Sequence, residues 1–183
     1  LSCHVLSSVP FLRPFCLRWA MSAFLAAALE VGENYAGVAD LVGLGNWFAN
    51  KSAQVSAHVA TDGDGTSGRF VPDAIKAWHC AAFNSASVGI EQVGFAADSN
   101  VTWFARRKQL DETARWIADF SLKHGVPIRK GRTNNIAGTV TRWGVVTHKA
   151  LGTAGGGHHD PGLAYPYHYV LVKARLYKAA RIA

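Results

Sequence analysis

Cysteine is scarce in this chain, and the few copies form no pattern. The three are Cys3, Cys16 and Cys80, an odd number without any Cys-x-x-Cys spacing. A disulfide framework needs pairs of cysteines, so the sequence argues against one. Cys80 is therefore predicted to be a small buried thiol.

The sequence also lacks a long uncharged apolar run and a compact block of basic residues. The stretch Phe11–Leu29 comes closest to a membrane span, but Arg13 and Arg18 interrupt it, so no stable membrane insertion is predicted. The formal net charge is +7, which suits polyanionic partners such as nucleic acid, anionic membranes or phosphate-rich wall polymers. Because the basic residues are spread along the chain, a nucleic-acid partner is not expected.

The length and composition predict one globular domain. The chain has 183 residues, of which 49% are apolar, enough for a full-sized core. Residues 1–35 lack clean periodicity, and we predict an atypical N-terminal segment there, either incomplete or foreign to the native protein, before a domain over residues 36–183. A secretion signal with its apolar core at Ala20–Leu29 and an ordinary N-terminal helix are the alternatives.

Strands and helices are predicted to alternate along the rest of the chain. Apolar periodicity and turn residues predict helices and strands in the following order: a helix over Val38–Asn50, a hairpin from Val55–Thr61 to Arg69–Pro72, a strand over Ser87–Phe95, a helix over Phe104–His124 ended by Gly125, a strand over Val145–Thr147 and a helix over Tyr169–Arg181. This alternation predicts the α/β class with a central mixed β-sheet flanked by helices. His124 and His168 are predicted to be solvated residues near helix ends.

Residues 144–162 carry the strongest chemical signal. An apolar strand is predicted to present His148, and a glycine-rich loop then leads to His158, His159 and Asp160 before a Pro-Gly turn. Imidazole and carboxylate groups that a flexible loop returns to one point are the ligands that zinc prefers. The segment therefore suggests a metal hydrolase.

Five pieces of the sequence together resemble one family. In chain order they are Val55–Val59, Ala77–Ala81, Ser87–Glu91, His148 and His158–Gly162. At these separations they are similar to the zinc-dependent N-acetylmuramoyl-L-alanine amidases of type 2, which include phage endolysins and peptidoglycan recognition proteins. The resemblance covers residues 37–175 and implies a single domain with the amidase fold.

The resemblance implies a reaction and roles for four residues. The family hydrolyses the amide between N-acetylmuramic acid and L-alanine in peptidoglycan. The resemblance implies that His148 and Asp160 are zinc ligands and that Glu91 orients or deprotonates the attacking water. His158 stands where the family often has lysine, and the resemblance implies that it stabilises the oxyanion and protonates the leaving amine.

The resemblance also implies a substrate groove and a place of action. The residues predicted to contact the muropeptide are His58, Trp78, His79 and Asn84. A structural role for His58 and a core position for His79 are the alternatives. The expected partner is peptidoglycan, bound by a monomeric, bacteriolytic hydrolase that works at the cell wall or outside the cell, or by a phage-encoded endolysin released at lysis.

One expected ligand is missing. The family's first zinc ligand is a histidine on the first core strand, expected here near residues 17–30, where the sequence has none. Either His4 is recruited, or His159 or His79 substitutes, or the N-terminus is a damaged version of the family's; we favour the last. The alternative function is a catalytically impaired peptidoglycan-binding module of the same fold.

Overall fold

The computed structural model describes residues 27–31 and 40–183. Within these ranges it contains strands and helices in alternating groups, joined by short turns. The strands are β1 (Ala27–Val31), β2 (Val59–Thr61), β3 (Ser67–Arg69), β4 (Val88–Gln92), β5 (Arg132–Asn134), β6 (Thr139–Arg142) and β7 (Val146–Thr147). The helices are α1 (Leu41–Ala49), α2 (Asn100–Ala105), α3 (Arg107–His124), α4 (His148–Leu151) and α5 (Tyr167–Ala180).

The main sheet is mixed. Its strand order is β3-β2-β4-β1-β7; β3 runs antiparallel to β2, and the other pairs are parallel. Strands β5 and β6 form a separate antiparallel ribbon. Helices α3 and α5 pack together and contribute to the same apolar core as β4. The predicted α/β class with a central mixed sheet is confirmed.

Strand β1 lies inside the sheet, between β4 and β7. Its residues pair in register with both neighbours: Leu29 with Ile90 on β4 and with Thr147 on β7. The first core strand expected near residues 17–30 is thus Ala27–Val31, on the N-terminal side of the predicted boundary at residue 35. That division of the chain stays a prediction. Cys3, His4 and Cys16 lie outside the described residues.

The helical region around residue 106 differs from the prediction of one long helix. The backbone of Arg106 leaves the helical region, with ψ at 38°, and separates α2 from α3. Its guanidinium group donates to Asp98 and to the Val93 carbonyl, the latter at 3.1 Å, which anchors the break to the end of β4. The predicted apolar stripe of α3 is buried, and Gly125 ends the helix at φ 72° in the left-handed region, as predicted.

Strand β4 is the central strand of the main sheet. All five of its residues are buried, as expected for a parallel strand covered on both faces. Val88 and Ile90 belong to the same core as Trp103, Leu110 and Ile117 of the helical layer. Burial of each large apolar side chain contributes about 1.5–3 kcal/mol, so this core fixes the position of β4 and of the acid within it.

Among the described residues, none of the helices combines the length and apolar character needed to cross a membrane.

Candidate metal site at the carboxyl edge of the sheet

Parallel strands bring three sequence-distant segments to one edge of the sheet. Strands β4, β1 and β7 run in the same direction, so their carboxyl ends lie side by side. Glu91 is the penultimate residue of β4, and His148 directly follows the last residue of β7. One strand separates β4 from β7, which places their backbones about 10 Å apart.

His148 is held with one ring nitrogen committed to the backbone. Its side chain is buried, and Nε2 lies 2.9 Å from the carbonyl oxygen of Gly155. A carbonyl only accepts hydrogen bonds, so Nε2–H is the donor and, in the neutral ring, Nδ1 carries the lone pair. Nδ1 lies 3.4 Å from Oδ1 of Asp160. A backbone acceptor on the far nitrogen is the usual way in which a metal-binding histidine is oriented.

The charges around His148 favour a positive species beside it. Burial lowers the pKa of His148, but the hydrogen bond and the charge of Asp160 outweigh burial and raise it, with a further contribution from Glu91. A positive charge at this point, whether a proton or a metal ion, is therefore stabilised by two carboxylates.

Asp160 is the centre of the cluster. It is 1% exposed, and its backbone oxygen accepts from the Lys149 amide at 2.9 Å, which ties the two ends of the loop together. Its Oδ1 lies 3.9 Å from Nδ1 of His158. One donor atom each of His148, His158 and Asp160 lie within 4.8 Å of one another. Imidazole and carboxylate donors in this number are a donor set that suits zinc.

His158 stacks on His148. The ring centroids are 4.1 Å apart, and the planes are inclined by 17°. The His158 side chain is 45% exposed, so it faces solvent on one side and the buried pair on the other. The resemblance implies a proton-donor role for His158, and the structure places its ring in the same group of potential ligand atoms as His148 and Asp160. The proton-donor role stays a prediction.

The buried acid Glu91 occupies the position predicted for it. It lies on β4, is buried, and is close enough for its charge to raise the pKa of His148. The structure therefore brings Glu91 and His148 to the same edge of the sheet, and the loop places Asp160 beside His148. Its catalytic role stays a prediction.

A second pair of histidines, His58 and His79, lies near the amino-terminal ends of β2 and β4. His58 is 1% exposed; its Nδ1 accepts from the Gly89 amide at 3.0 Å, and its Nε2 lies 3.1 Å from the Ile75 carbonyl. Both nitrogens are thus used by the backbone, and burial lowers the pKa of His58. This geometry favours the structural role for His58 over contact with substrate.

His79 belongs to the same buried network. Its Nε2 lies 2.9 Å from Oγ of Ser87, its ring meets His58 edge to face at 5.4 Å, and burial lowers its pKa to about 3. The Asn84 Oδ1 accepts from the amides of His79 and Cys80 at 2.9 and 2.6 Å. The geometry favours the core alternative for His79 and a turn-stabilising role for Asn84.

The structure also bears on the predictions of a buried thiol at Cys80 and of a solvated side chain at His124. Cys80 is a buried free thiol, as predicted, and burial raises its pKa to about 12. The prediction of a solvated His124 is wrong: its side chain is 6% exposed, and Nε2 lies 2.8 Å from Oδ2 of Asp73. Lys123 and Arg69 also donate to Asp73, and these three bonds outweigh burial and hold the pKa of Asp73 well below its usual value.

Trp78 is the exposed member of the predicted substrate-contact set. It is 53% exposed, and the Lys76 ammonium lies 4.4 Å from its ring centroid. The other three members, His58, His79 and Asn84, are buried. An exposed indole offers an apolar face to a sugar or peptide, so the structure leaves Trp78 as the best placed of the four.

The chain is similar in sequence and in fold to known proteins. The chain is 37% identical over 82 residues to N-acetylmuramoyl-L-alanine amidase A of Achromobacter lyticus, a match covering 44% of this chain and 45% of that protein. The fold of this chain is similar to that of Staphylococcus aureus hydrolase AmiA in complex with its ligand. The TM-score is 0.62 and the identity 18%, and the match covers 87% of this chain and 76% of that chain. The fold is also similar to that of N-acetylmuramoyl-L-alanine amidase LysC from Clostridium intestinale URNW. The TM-score is 0.56 and the identity 13%, and the match covers 83% of this chain and 87% of that chain.

The chain thus spans about half the length of the curated relative that it matches. The family model described as N-acetylmuramoyl-L-alanine amidase, Amidase_2, matches residues 27–163. This range includes β1, Glu91 and the whole His148–Asp160 segment. The chain therefore belongs to the Amidase_2 family of N-acetylmuramoyl-L-alanine amidases.

Proposed function

We propose that this chain hydrolyses the amide bond between N-acetylmuramic acid and L-alanine in peptidoglycan, with a zinc ion at the loop after β7. The observation that supports the proposal most is the placement of a buried glutamate and a histidine–aspartate pair at the same sheet edge, in a chain of the Amidase_2 family. The products are the lactyl carboxylate of the sugar and the free amino group of L-alanine.

The donor set fits zinc. His148 offers Nδ1 because its Nε2–H is bonded to the Gly155 carbonyl, and Asp160 offers a buried carboxylate 3.4 Å away. When bound there, zinc would polarise the scissile carbonyl and lower the pKa of a coordinated water to about 7. Exclusion of solvent around Asp160 strengthens the attraction between this carboxylate and a cation.

Glu91 is proposed as the general base. Water must lose a proton to attack an amide, and a carboxylate within reach of the cation's site can accept it. Burial on an interior strand holds this side chain in place, because β4 is paired on both sides. The same group can then return the proton towards the leaving amine.

Substrate contact is proposed at Trp78. Its exposed indole carries the Lys76 ammonium over one face of the ring, so it combines an apolar surface with a nearby positive charge. Peptidoglycan stems carry carboxylates and its sugars carry apolar ring faces, so both features suit this polymer. The formal charge of +7 favours binding to an anionic wall, which is where we propose that the protein acts.

The test is a wall-digestion assay on the zinc-loaded protein. We expect purified cell walls to lose turbidity while new amino termini of alanine appear, and we expect a chelator to stop both. Zinc should restore them. Protein that sediments with the walls but releases no amino termini, with zinc present, would contradict the proposal and favour a binding module.

A further inference from the structure

We infer that His158 is the third protein ligand of the metal, so that one loop supplies all three ligands and no upstream histidine is needed. This inference rests on the proposed function, since it concerns the same site. It replaces the proton-donor role that the sequence pattern suggested for His158.

The need for a third ligand is chemical. Catalytic zinc sites use three protein ligands and leave one position for water or substrate. His148 and Asp160 supply two. Strand β1, which lies between β4 and β7, has the sequence Ala-Ala-Leu-Glu-Val and so carries no histidine.

The other described histidines near the sheet bond to groups outside this cluster. His58 uses both ring nitrogens on backbone groups, His79 bonds to Ser87, and His124 bonds to Asp73. Among the described residues, the group of potential ligands that meets at one point is His148, His158 and Asp160.

The distances agree with binding to a single ion. Two ligand atoms each about 2.0–2.1 Å from a tetrahedral zinc ion lie roughly 3.3 Å apart. Asp160 Oδ1 lies 3.4 Å from Nδ1 of His148 and 3.9 Å from Nδ1 of His158. The second separation exceeds the ideal by about half an ångström, which a small rotation of a half-exposed ring can close.

The glycine-rich loop makes room for this ring. Gly156 has φ at 105°, and a Cβ placed there would lie 3.0 Å from Cδ2 of His158. A side chain at position 156 would therefore be both strained and crowded against the imidazole. Glycine at this position lets the ring stack on His148 with Nδ1 towards Asp160.

Ligation and proton donation by His158 exclude each other. An imidazole whose Nδ1 lone pair binds a metal cannot take up a second proton there, so it cannot act as an imidazolium acid. The two roles therefore respond differently to substitution. Cysteine supplies a zinc-binding thiolate but is a poor substitute for a cationic donor, whereas lysine supplies the cationic donor and, as an ammonium, has no lone pair for a metal.

The experiment compares His158→Cys with His158→Lys. Zinc affinity is measured on the full chain by competition with a chelating indicator, and Co²⁺ absorption reports the ligand set. We expect His158→Cys to retain zinc within about tenfold and to add a sulfur-to-cobalt band. Removing a group that only hydrogen-bonds to a metal ligand already lowers metal affinity about 10–100-fold. Removing the ligand itself in His158→Lys should therefore lower zinc affinity by more than about 100-fold. His159→Ala, its exposed neighbour, is the matched control and should bind like the parent protein.

Other results would overturn the inference. If His158→Lys binds zinc as tightly as the parent protein, His158 is not a ligand; if Glu30→Gln then loses zinc, the third ligand lies on β1. Thermal unfolding of the zinc-free variants checks that all of them fold. A parent protein that binds zinc and digests walls while His158→Lys does both would end this inference and leave the proposed function intact. A parent protein that binds no zinc would end both.

Discussion

Two pairs of histidines lie close together in this molecule, and their surroundings differ. In the first pair, His58 and His79 meet edge to face at 5.4 Å inside the domain. In the second pair, His148 and His158 stack at 4.1 Å beside Asp160. Burial dominates the first pair and lowers the pKa of both rings, to about 3 for His79. Carboxylates dominate at His148 and raise its pKa.

The difference shows that a histidine's function follows from the partners of its ring nitrogens. In the first pair, His58 uses both nitrogens on backbone groups and His79 bonds to Ser87, so the rings connect strands and turns. In the second pair, a single backbone carbonyl fixes Nε2 of His148 and leaves Nδ1 facing a carboxylate. We therefore propose a structural role for the first pair and metal binding for the second.

The largest expected effect separates catalysis from metal binding. Glu91→Gln should lower the rate of wall hydrolysis by about 10²–10⁴-fold, the usual contribution of a general base, because the amide cannot accept the proton. Zinc affinity should stay within a few-fold. Release of alanine amino termini and a zinc titration measure the two quantities.

A matched control is Glu112→Gln, which removes a carboxylate on α3 that bonds to Ser67 and Arg115. This variant should keep both activity and zinc. A fully active Glu91→Gln protein would refute the base role.

The next effect concerns stability at the first pair. His58→Ala should lower the free energy of unfolding by about 2–5 kcal/mol, because a buried ring is deleted and the Gly89 amide loses its acceptor. Urea unfolding measures the change, with exposed His168→Ala as the control that should shift it little. Zinc bound per folded molecule should not change. A stable His58→Ala variant that no longer binds zinc would reverse the assignment of the two pairs.

The smallest expected effect is a pH dependence. The pKa of His79 is lowered to about 3 in the folded chain, so below about pH 6.5 the unfolded chain binds the proton and the folded chain does not. Stability is therefore lost as pH falls, by about 1 kcal/mol between pH 7 and 5.5 for one such histidine. Urea midpoints across this range measure the loss. His79→Gln should flatten the profile, and an unchanged slope would show that His79 titrates normally.

The sequence predicted much of the fold because the signals for it are local. Apolar periodicity marks α3 and β4, and Gly125 marks a helix end. The break at Arg106 was not predicted, because it depends on contacts of the guanidinium with Asp98 and with the end of β4. The burial of His124 was missed for the same reason: Asp73, its partner, lies 51 residues away.

The candidate site was predicted in part. His148, Asp160 and Glu91 lie at the places that their strand and loop positions imply. The interior positions of His58, His79 and Asn84 could not be told from sequence, because alternation marks a strand face but not what covers it. The approach of His158 to Asp160 depends on the path of a glycine-rich loop, which has no periodicity to predict it.

The most direct test is the zinc content of three proteins after equilibrium dialysis against zinc: the parent chain, Asp160→Ala and His79→Gln. We expect one zinc ion per chain in the parent and in His79→Gln, and none in Asp160→Ala, because we propose that the second pair and its aspartate form the metal site. Zinc retained by Asp160→Ala but lost from His79→Gln would contradict this proposal.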